Sequence, residues 1–428
     1  MSGTSSLKNL ESYLHSLTRF GIRPGLDRIN ALLQSAQLTH LNFPCVLVGG
    51  TNGKGSTCDF LARSLAADGL RTGLFTSPHL YHYNERIRIL PSNDHQLFEG
   101  AINDADSNAL LEAAMPTLQQ VSQKMQDPTE FETLTLLALL HFTRQQVNVG
   151  VLEVGLGGRW DCTNAIDPLV SVVTHVDLDH CDRLGNTREE IAFDKVQISR
   201  PGRILVSAET RPTVLKVLFD YCQDKKVLFR PWRAPQYNTD STWKVPTPVV
   251  DDSDFQTINR QTAMQARLAF YQSVHQQAPQ QHQEVLLPAV PGRYEIIREN
   301  PLLIADGANN PDGARHLASR LKEQLSQNRN SKLILVLGIL ADKDYQQMIE
   351  ILTPLASAVI ATQSTSPRSA PAEDIAAKVS SLGIPVHTIR PVTSAVQKAL
   401  ELATPDDIVV LTGSFYTLGE LDRSKALA

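Results

Sequence analysis

One stretch constrains the fold of this chain more than any other. The apolar run Cys45-Val46-Leu47-Val48 empties into Gly49-Gly50-Thr51-Asn52-Gly53-Lys54-Gly55-Ser56, and from Ser56 to Leu65 the pattern turns helical. A short apolar run of this kind reads as a buried strand. A glycine-rich turn between such a strand and a helix lets backbone N–H groups converge on an anion, and the helix N-terminus adds positive potential. Thr51, Asn52, Gly53, Lys54, Gly55, Ser56 and Thr57 are therefore the candidate phosphate-binding residues. Lys54 has the reach for the outer phosphates, and Ser56 can support a metal or a phosphate. The spacing departs from the strict GxxxxGK[ST] pattern: Val48 stands at the first glycine, and Gly55 is inserted between Lys54 and Ser56.

The rest of the chain keeps a strand–helix rhythm. Residues 7–35 read as one or two helices, 71–76 as a strand and 133–142 as a helix. Residues 147–154, 169–176 and 203–206 read as further strands. Alternation of this kind argues for parallel βαβ units. The composition changes over 272–292, which is rich in Gln, His and then Pro, as a linker is. After it the rhythm resumes, with strand candidates at 302–305, 333–337, 358–361, 386–389 and 408–411. The expected fold is α/β: a P-loop domain with a doubly wound, mostly parallel sheet over 1–290, a connector at 291–300, and a smaller Rossmann-like α/β domain over 301–428. A chain of 428 residues has room for both, at roughly 100–200 residues per domain.

Composition closes off several classes. The net charge of −5 disfavours general binding to nucleic acid or anionic membranes. No apolar run nears the roughly 18 residues of a membrane span. The first residues carry Lys8, Glu11 and Arg19 and no apolar core segment, so no secretory leader is expected. The five cysteines are odd in number and lack CxxC spacing. Reduced thiols in the cytoplasm are expected, with neither a disulfide framework nor a cysteine zinc site.

Several blocks then line up in order. They are Thr76-Ser77-Pro78-His79-Leu80 with Asn84-Glu85-Arg86-Ile87; Glu153-Val154-Gly155-Leu156-Gly157-Gly158-Arg159 with Asp161 and Thr163-Asn164; and Asp179-His180 with Leu184-Gly185-Asn186-Thr187. Pro291-Gly292-Arg293, Asp306-Gly307-Ala308, Asp342-Lys343-Asp344 and Gly413-Ser414-Phe415-Tyr416 follow. Together with the glycine loop they resemble the folylpolyglutamate synthase/dihydrofolate synthase family of Mur-ligase-like, ATP-dependent amide ligases. The Glu153 block is the most specific; the loop alone would not separate this family from Mur ligases.

The resemblance implies ATP and Mg²⁺, with Mn²⁺ also acceptable, and as substrates L-glutamate with dihydropteroate or a reduced folate. It implies metal ligation by Ser77, Glu153 and His180, which stand after successive strands, where an open α/β sheet places ligands. It implies catalytic roles for Lys54, His180 and Lys195, with Lys195 a candidate for carbamylation, and ATP contacts from Arg293 and Asp306. Asn309 and Asn310 are candidates near the glutamate, in a monomeric enzyme. Two positions depart from the family pattern. Asn309 replaces a histidine, and asparagine carries neither charge nor proton near neutrality. Thr262, in Asn259-Arg260-Gln261-Thr262-Ala263, replaces an asparagine that contacts adenine. Folylpolyglutamate synthase activity alone, a Mur-like ligase of another pathway and a catalytically weakened nucleotide-binding paralogue remain as alternatives.

Overall fold

The computed structural model describes residues 9–18, 21, 23–92, 97–231, 236–237, 243–244, 255–279, 290–327 and 330–427. Part of the Gln- and Pro-rich stretch, 280–289, lies outside them. The chain divides into two compact units, one of residues 1–249 and 256–287, the other of 250–255 and 288–428.

The first unit runs α1 (Leu10–Leu17), α2 (Asp27–Ser35), β1 (Cys45–Gly49), α3 (Lys54–Ala67), β2 (Thr72–Phe75), β3 (Ile87–Leu90), α4 (Asp104–Lys124), α5 (Glu130–Arg144), β4 (Val149–Glu153), β5 (Val170–Val173), α6 (Cys181–Leu184), α7 (Arg188–Lys195), β6 (Ile204–Ser207), α8 (Pro212–Lys225) and β7 (Leu228–Pro231). A two-residue ladder, β8 (Gln236–Tyr237) with β9 (Trp243–Lys244), precedes α9 (Phe255–Ser273). Seven strands form one sheet in the order β3-β2-β4-β1-β5-β6-β7. Among the described residues of this sheet β3 alone runs antiparallel, against β2. Strands β1, β4 and β5 are buried along their whole length, as parallel strands covered on both faces must be. Val48 pairs with Glu153, and Gly49 with Val173, so three central strands end level and release their loops at one edge.

The second unit contains β10 (Glu295–Glu299), β11 (Leu302–Asp306), α10 (Pro311–Gln327), β12 (Leu333–Leu337), α11 (Tyr345–Leu352), β13 (Ala358–Ala361), α12 (Ala372–Ser381), β14 (Val386–Thr388), α13 (Val392–Leu402), β15 (Ile408–Thr412), α14 (Phe415–Leu418) and α15 (Arg423–Leu427). Its six-stranded sheet has the order β10-β11-β15-β12-β13-β14. Residues 291–300, read from the sequence as a connector, carry β10, which pairs antiparallel with β11 at the edge of this sheet. Each unit closes over an apolar core of its own. Among the described residues no helix is long and apolar enough to cross a membrane.

Candidate functional site

The glycine loop is held from the β5 side. The Thr51 N–H donates to His175 O at 2.7 Å, and the Thr51 hydroxyl both donates to Asp177 O and accepts from Asp177 N at 3.0 Å. Gly53 opens α3 with φ of +88°, a left-handed conformation that favours glycine. The loop also passes close to α9: a Cβ on Gly53 would lie 2.3 Å from Asn259 Oδ1. Lys54, Gly55, Ser56 and Thr57 form the first turn of α3, with Ser56 and Thr57 buried. Lys54 Nζ donates to Thr51 O at 3.1 Å.

Glu153, at the end of β4, is buried, and its Oε2 accepts the Ser77 N–H at 2.9 Å. Ser77 follows β2, so the bond joins two strand ends. Gly55 makes room for the carboxylate: a Cβ there would stand 3.3 Å from Glu153 Oε2. This is a hard anionic oxygen held at the mouth of an anion-binding loop, a donor suited to Mg²⁺ or Mn²⁺. His180 begins α6 in the left-handed region, with φ of 52°. Its ring is about one-third exposed, and Nε2 lies 3.8 Å from Asp179 Oδ1.

Lys195 ends α7 and is buried; its Nζ donates to Gly50 O at 2.9 Å. Burial first, and then the Lys54 charge, lower its pKa to about 7. The glycines of the Glu153 block create this position. A Cβ on Gly158 would come within 2.8 Å of Lys195 Cα and Asp194 O, and the Arg159 N–H donates to Asp194 O at 3.2 Å. The chain after β4 therefore lies flat on the end of α7. Asp161, Thr163 and Asn164 work as turn formers. Asp161 accepts from Thr163 N, Thr163 Oγ1 and Leu156 N, and Asn164 donates to Arg159 O and Gln197 O.

In the second unit, Asp306 ends β11 and accepts from Tyr294 N at 2.8 Å and Ala308 N at 2.9 Å. Burial pushes its carboxyl up, against the pull of Arg293. The Arg293 guanidinium stands 4.3 Å from the Phe415 ring centroid. Asn310 is buried at the start of α10, where its Oδ1 accepts Gly313 N at 2.8 Å; this is a helix cap. Asn309 is half-buried beside it. In the first unit, Thr262 is buried, and its hydroxyl donates to Ile258 O at 2.7 Å, within its own helix.

The structure thus gathers the loop, Ser77 with Glu153, and Lys195 with Gly50. It also shows groups the sequence reading passed over: Asn259 against the loop, and His175, Asp177, Glu209 and Arg211 beneath it. The only sequence signal for the last two was two charges, in Glu209-Thr210-Arg211, just after a strand.

Comparison with known proteins finds relatives for both units of the chain. Residues 48–211 match the Mur ligase middle domain, and 292–415 match the Mur ligase glutamate ligase domain. The chain is 30% identical to a dihydrofolate synthase/folylpolyglutamate synthase of Bacillus subtilis, over 98% of this chain and 99% of the relative. Among solved structures, Escherichia coli FolC in complex with DHPP and ADP superposes with a TM-score of 0.81 at 29% identity, over 98% of this chain and 97% of that one. A bifunctional folylpolyglutamate synthase/dihydrofolate synthase from Yersinia pestis, complexed with AMPPNP and a Mn ion, gives 0.77 at 29% identity, over 95% of both chains.

Proposed function

The chain belongs to the dihydrofolate synthase/folylpolyglutamate synthase family of ATP-dependent ligases, and from that premise we propose that it joins L-glutamate to dihydropteroate, to the γ-carboxylate of tetrahydrofolates, or to both. The observation that carries the reading is the buried Glu153 carboxylate, fixed by the Ser77 N–H and faced by Gly55 of the phosphate loop.

A carboxylate and an amine do not condense directly, because the leaving group would be oxide. The folate carboxylate attacks the γ-phosphorus of ATP, giving an acyl phosphate and ADP. The glutamate amine then attacks the acyl carbon, forming the amide and releasing phosphate with loss of a proton. Such chemistry depends on position and charge rather than on a protein nucleophile. The N–H groups of the loop and Lys54 hold the phosphates. Ser77, Glu153 and His180 would hold the divalent cation, which when bound offsets the charge repulsion between ATP and the incoming carboxylate. We read Arg293 and Asp306 as further nucleotide contacts, and Asn309 as a neighbour of the glutamate.

Lys195 is a candidate carbamate. Its lowered pKa leaves much of the amine neutral near pH 7, the form that adds CO₂ with loss of a proton. The product would turn a buried cation into an anion beside the loop. We read the enzyme as a monomer acting in the cytoplasm, a compartment that fits five free cysteines, four of them buried.

Mass spectrometry of the products from dihydropteroate and from tetrahydrofolate, each with ATP, Mg²⁺ and glutamate, tests the reading. A mass gain of one glutamate residue is expected on at least one acceptor. Tight ATP binding without ligation on either acceptor would favour the weakened paralogue, for which Asn309 is the supporting residue.

A further inference from the structure

Beneath the loop lies a frame of charged side chains that the chemistry above does not use. Glu209, just past β6, is buried; its Oε1 accepts from Thr210 N, Arg211 N and Arg211 Nε, and its Oε2 from Val176 N and Arg211 Nη2. Arg211 reaches on to the β5 side, donating from Nη1 to Asp177 Oδ2 at 3.0 Å and from Nη2 to Val176 O. Asp177 is buried too, and its Oδ1 accepts the Leu178 N–H at 2.6 Å. The same Oδ1 takes both contacts from Arg188, Nε at 3.1 Å and Nη2 at 3.0 Å.

Arg188 is the first residue of α7, and Lys195, bonded to Gly50 O, is the last. The start of the helix is fixed by a capping box between Thr187 and Glu190. One short helix thus joins the segment after β5 to the loop after β1. The tied segment, residues 175–178, braces Thr51 through His175 O and Asp177, and leads directly into His180.

We propose that Arg188, Asp177 and Arg211 are positioning residues that set the phosphate loop and the His180 segment against each other, so that nucleotide and divalent ion are bound in register. The part concerning the ion rests on the reading of Ser77, Glu153 and His180 given above. The contacts make a specific demand. Both Arg188 contacts converge on one oxygen, so a single ammonium can replace them. Those of Arg211 diverge to Asp177, Glu209 and Val176 O, which only a guanidinium fork spans.

The test is equilibrium binding of ADP and of Mn²⁺ to the full chain, beside thermal melting. Arg188 is 39% exposed in its side chain, so Arg188→Met is expected to fold with an unchanged melting temperature. Its dissociation constants for ADP and Mn²⁺ should rise about fivefold, the size of coupling that such networks carry. Arg188→Lys should restore both, and Arg211→Lys should not. Unchanged constants in Arg188→Met would overturn the proposal, as would rescue of binding by Arg211→Lys. Glu153→Gln separates the two readings. If it leaves Mn²⁺ binding intact, the metal assignment is wrong, and the ADP constants of the Arg188 variants still decide the frame.

Discussion

Gly53 and Gly55 stand two residues apart in one turn, yet replacing each should do different damage. Gly53 has φ of +88°, and a Cβ there would collide with Asn259 Oδ1 at 2.3 Å. Strain of this kind costs roughly 1–3 kcal/mol. Gly53→Ala should therefore lose about 2 kcal/mol in urea denaturation and most of its ADP affinity by calorimetry. Gly55 lies in the first turn of α3, where alanine suits the helix, and its added Cβ would come nearest to the Glu153 carboxylate, at 3.3 Å from Oε2. Gly55→Ala should keep its stability within about 1 kcal/mol, as a conformationally compatible exchange does. Its half-saturating Mg²⁺ concentration should rise several-fold in an activity titration. Lys195 gives a pH signature instead. Its pKa is lowered from 10.5 to about 7, so between those values the unfolded chain binds a proton that the folded chain does not. Stability contributed by this site therefore rises as pH climbs from about 7 toward 10.5, and below 7 the penalty for a buried charge is present in full. In CO₂-free buffer, Lys195→Met should gain most over the unmutated chain at pH 6, and the gap should close by pH 10. A gap that stays constant over that range would remove the lysine as its source.

At the scale of elements, α5 shows how local chemistry becomes packing. Thr129 accepts the Glu132 N–H at 3.2 Å, and Glu132 accepts the Thr129 N–H at 2.8 Å, a reciprocal cap. The same glutamate binds Arg28 of α2 at 3.0–3.1 Å with 3% of its side chain exposed, so the cap also docks two helices. Thr129→Ala should cost about 1 kcal/mol, a typical cap loss. Glu132→Ala should cost about 3 kcal/mol, because it leaves a largely buried guanidinium unpaired. Chemical denaturation with an unchanged m-value measures both, and activity per folded molecule should be unaffected. This scale also explains what the sequence could reveal. Strands β1, β4 and β5 were legible because burial on both faces makes them continuous apolar runs. Strand β3 was not, since Arg88 interrupts its pattern; the charge is buried through a 2.6 Å contact with Asp59 on α3, some thirty positions away in the chain. Ser77 was legible as a residue at a strand end. That its backbone N–H holds Glu153 was not, because main-chain donors leave no mark in residue type. The frame on Asp177 stayed hidden for a related reason. Its members come from three segments, and each alone reads as an ordinary surface charge.

Over the whole molecule, the two units divide the candidate residues. Lys54, Ser77, Glu153, His180 and Lys195 belong to the first, and Arg293, Asp306, Asn309 and Asn310 to the second. Each unit has its own sheet and core, which is the condition for independent folding. The second unit is also closed end to end. Arg423 of α15 forms two 2.7 Å bonds to Glu295 of β10, joining its last helix to its first strand. A fragment of residues 288–428 is therefore expected to unfold cooperatively by calorimetry. Arg423→Ala in that fragment should lower its stability by about 1 kcal/mol, the upper range for a partly exposed ion pair. The fragment lacks the phosphate loop, so ADP with Mn²⁺ should leave its melting temperature unchanged. The same ligands at a hundred times their dissociation constant should stabilise the full chain by about 2.7 kcal/mol, through binding to the folded state alone. A clear ligand-induced shift in the fragment would place the dominant nucleotide contacts on Arg293 and Asp306 rather than on the loop. That outcome would make the strand-end loop of the first unit an accessory to binding and reverse the division of labour argued from Gly53, Lys54 and Glu153.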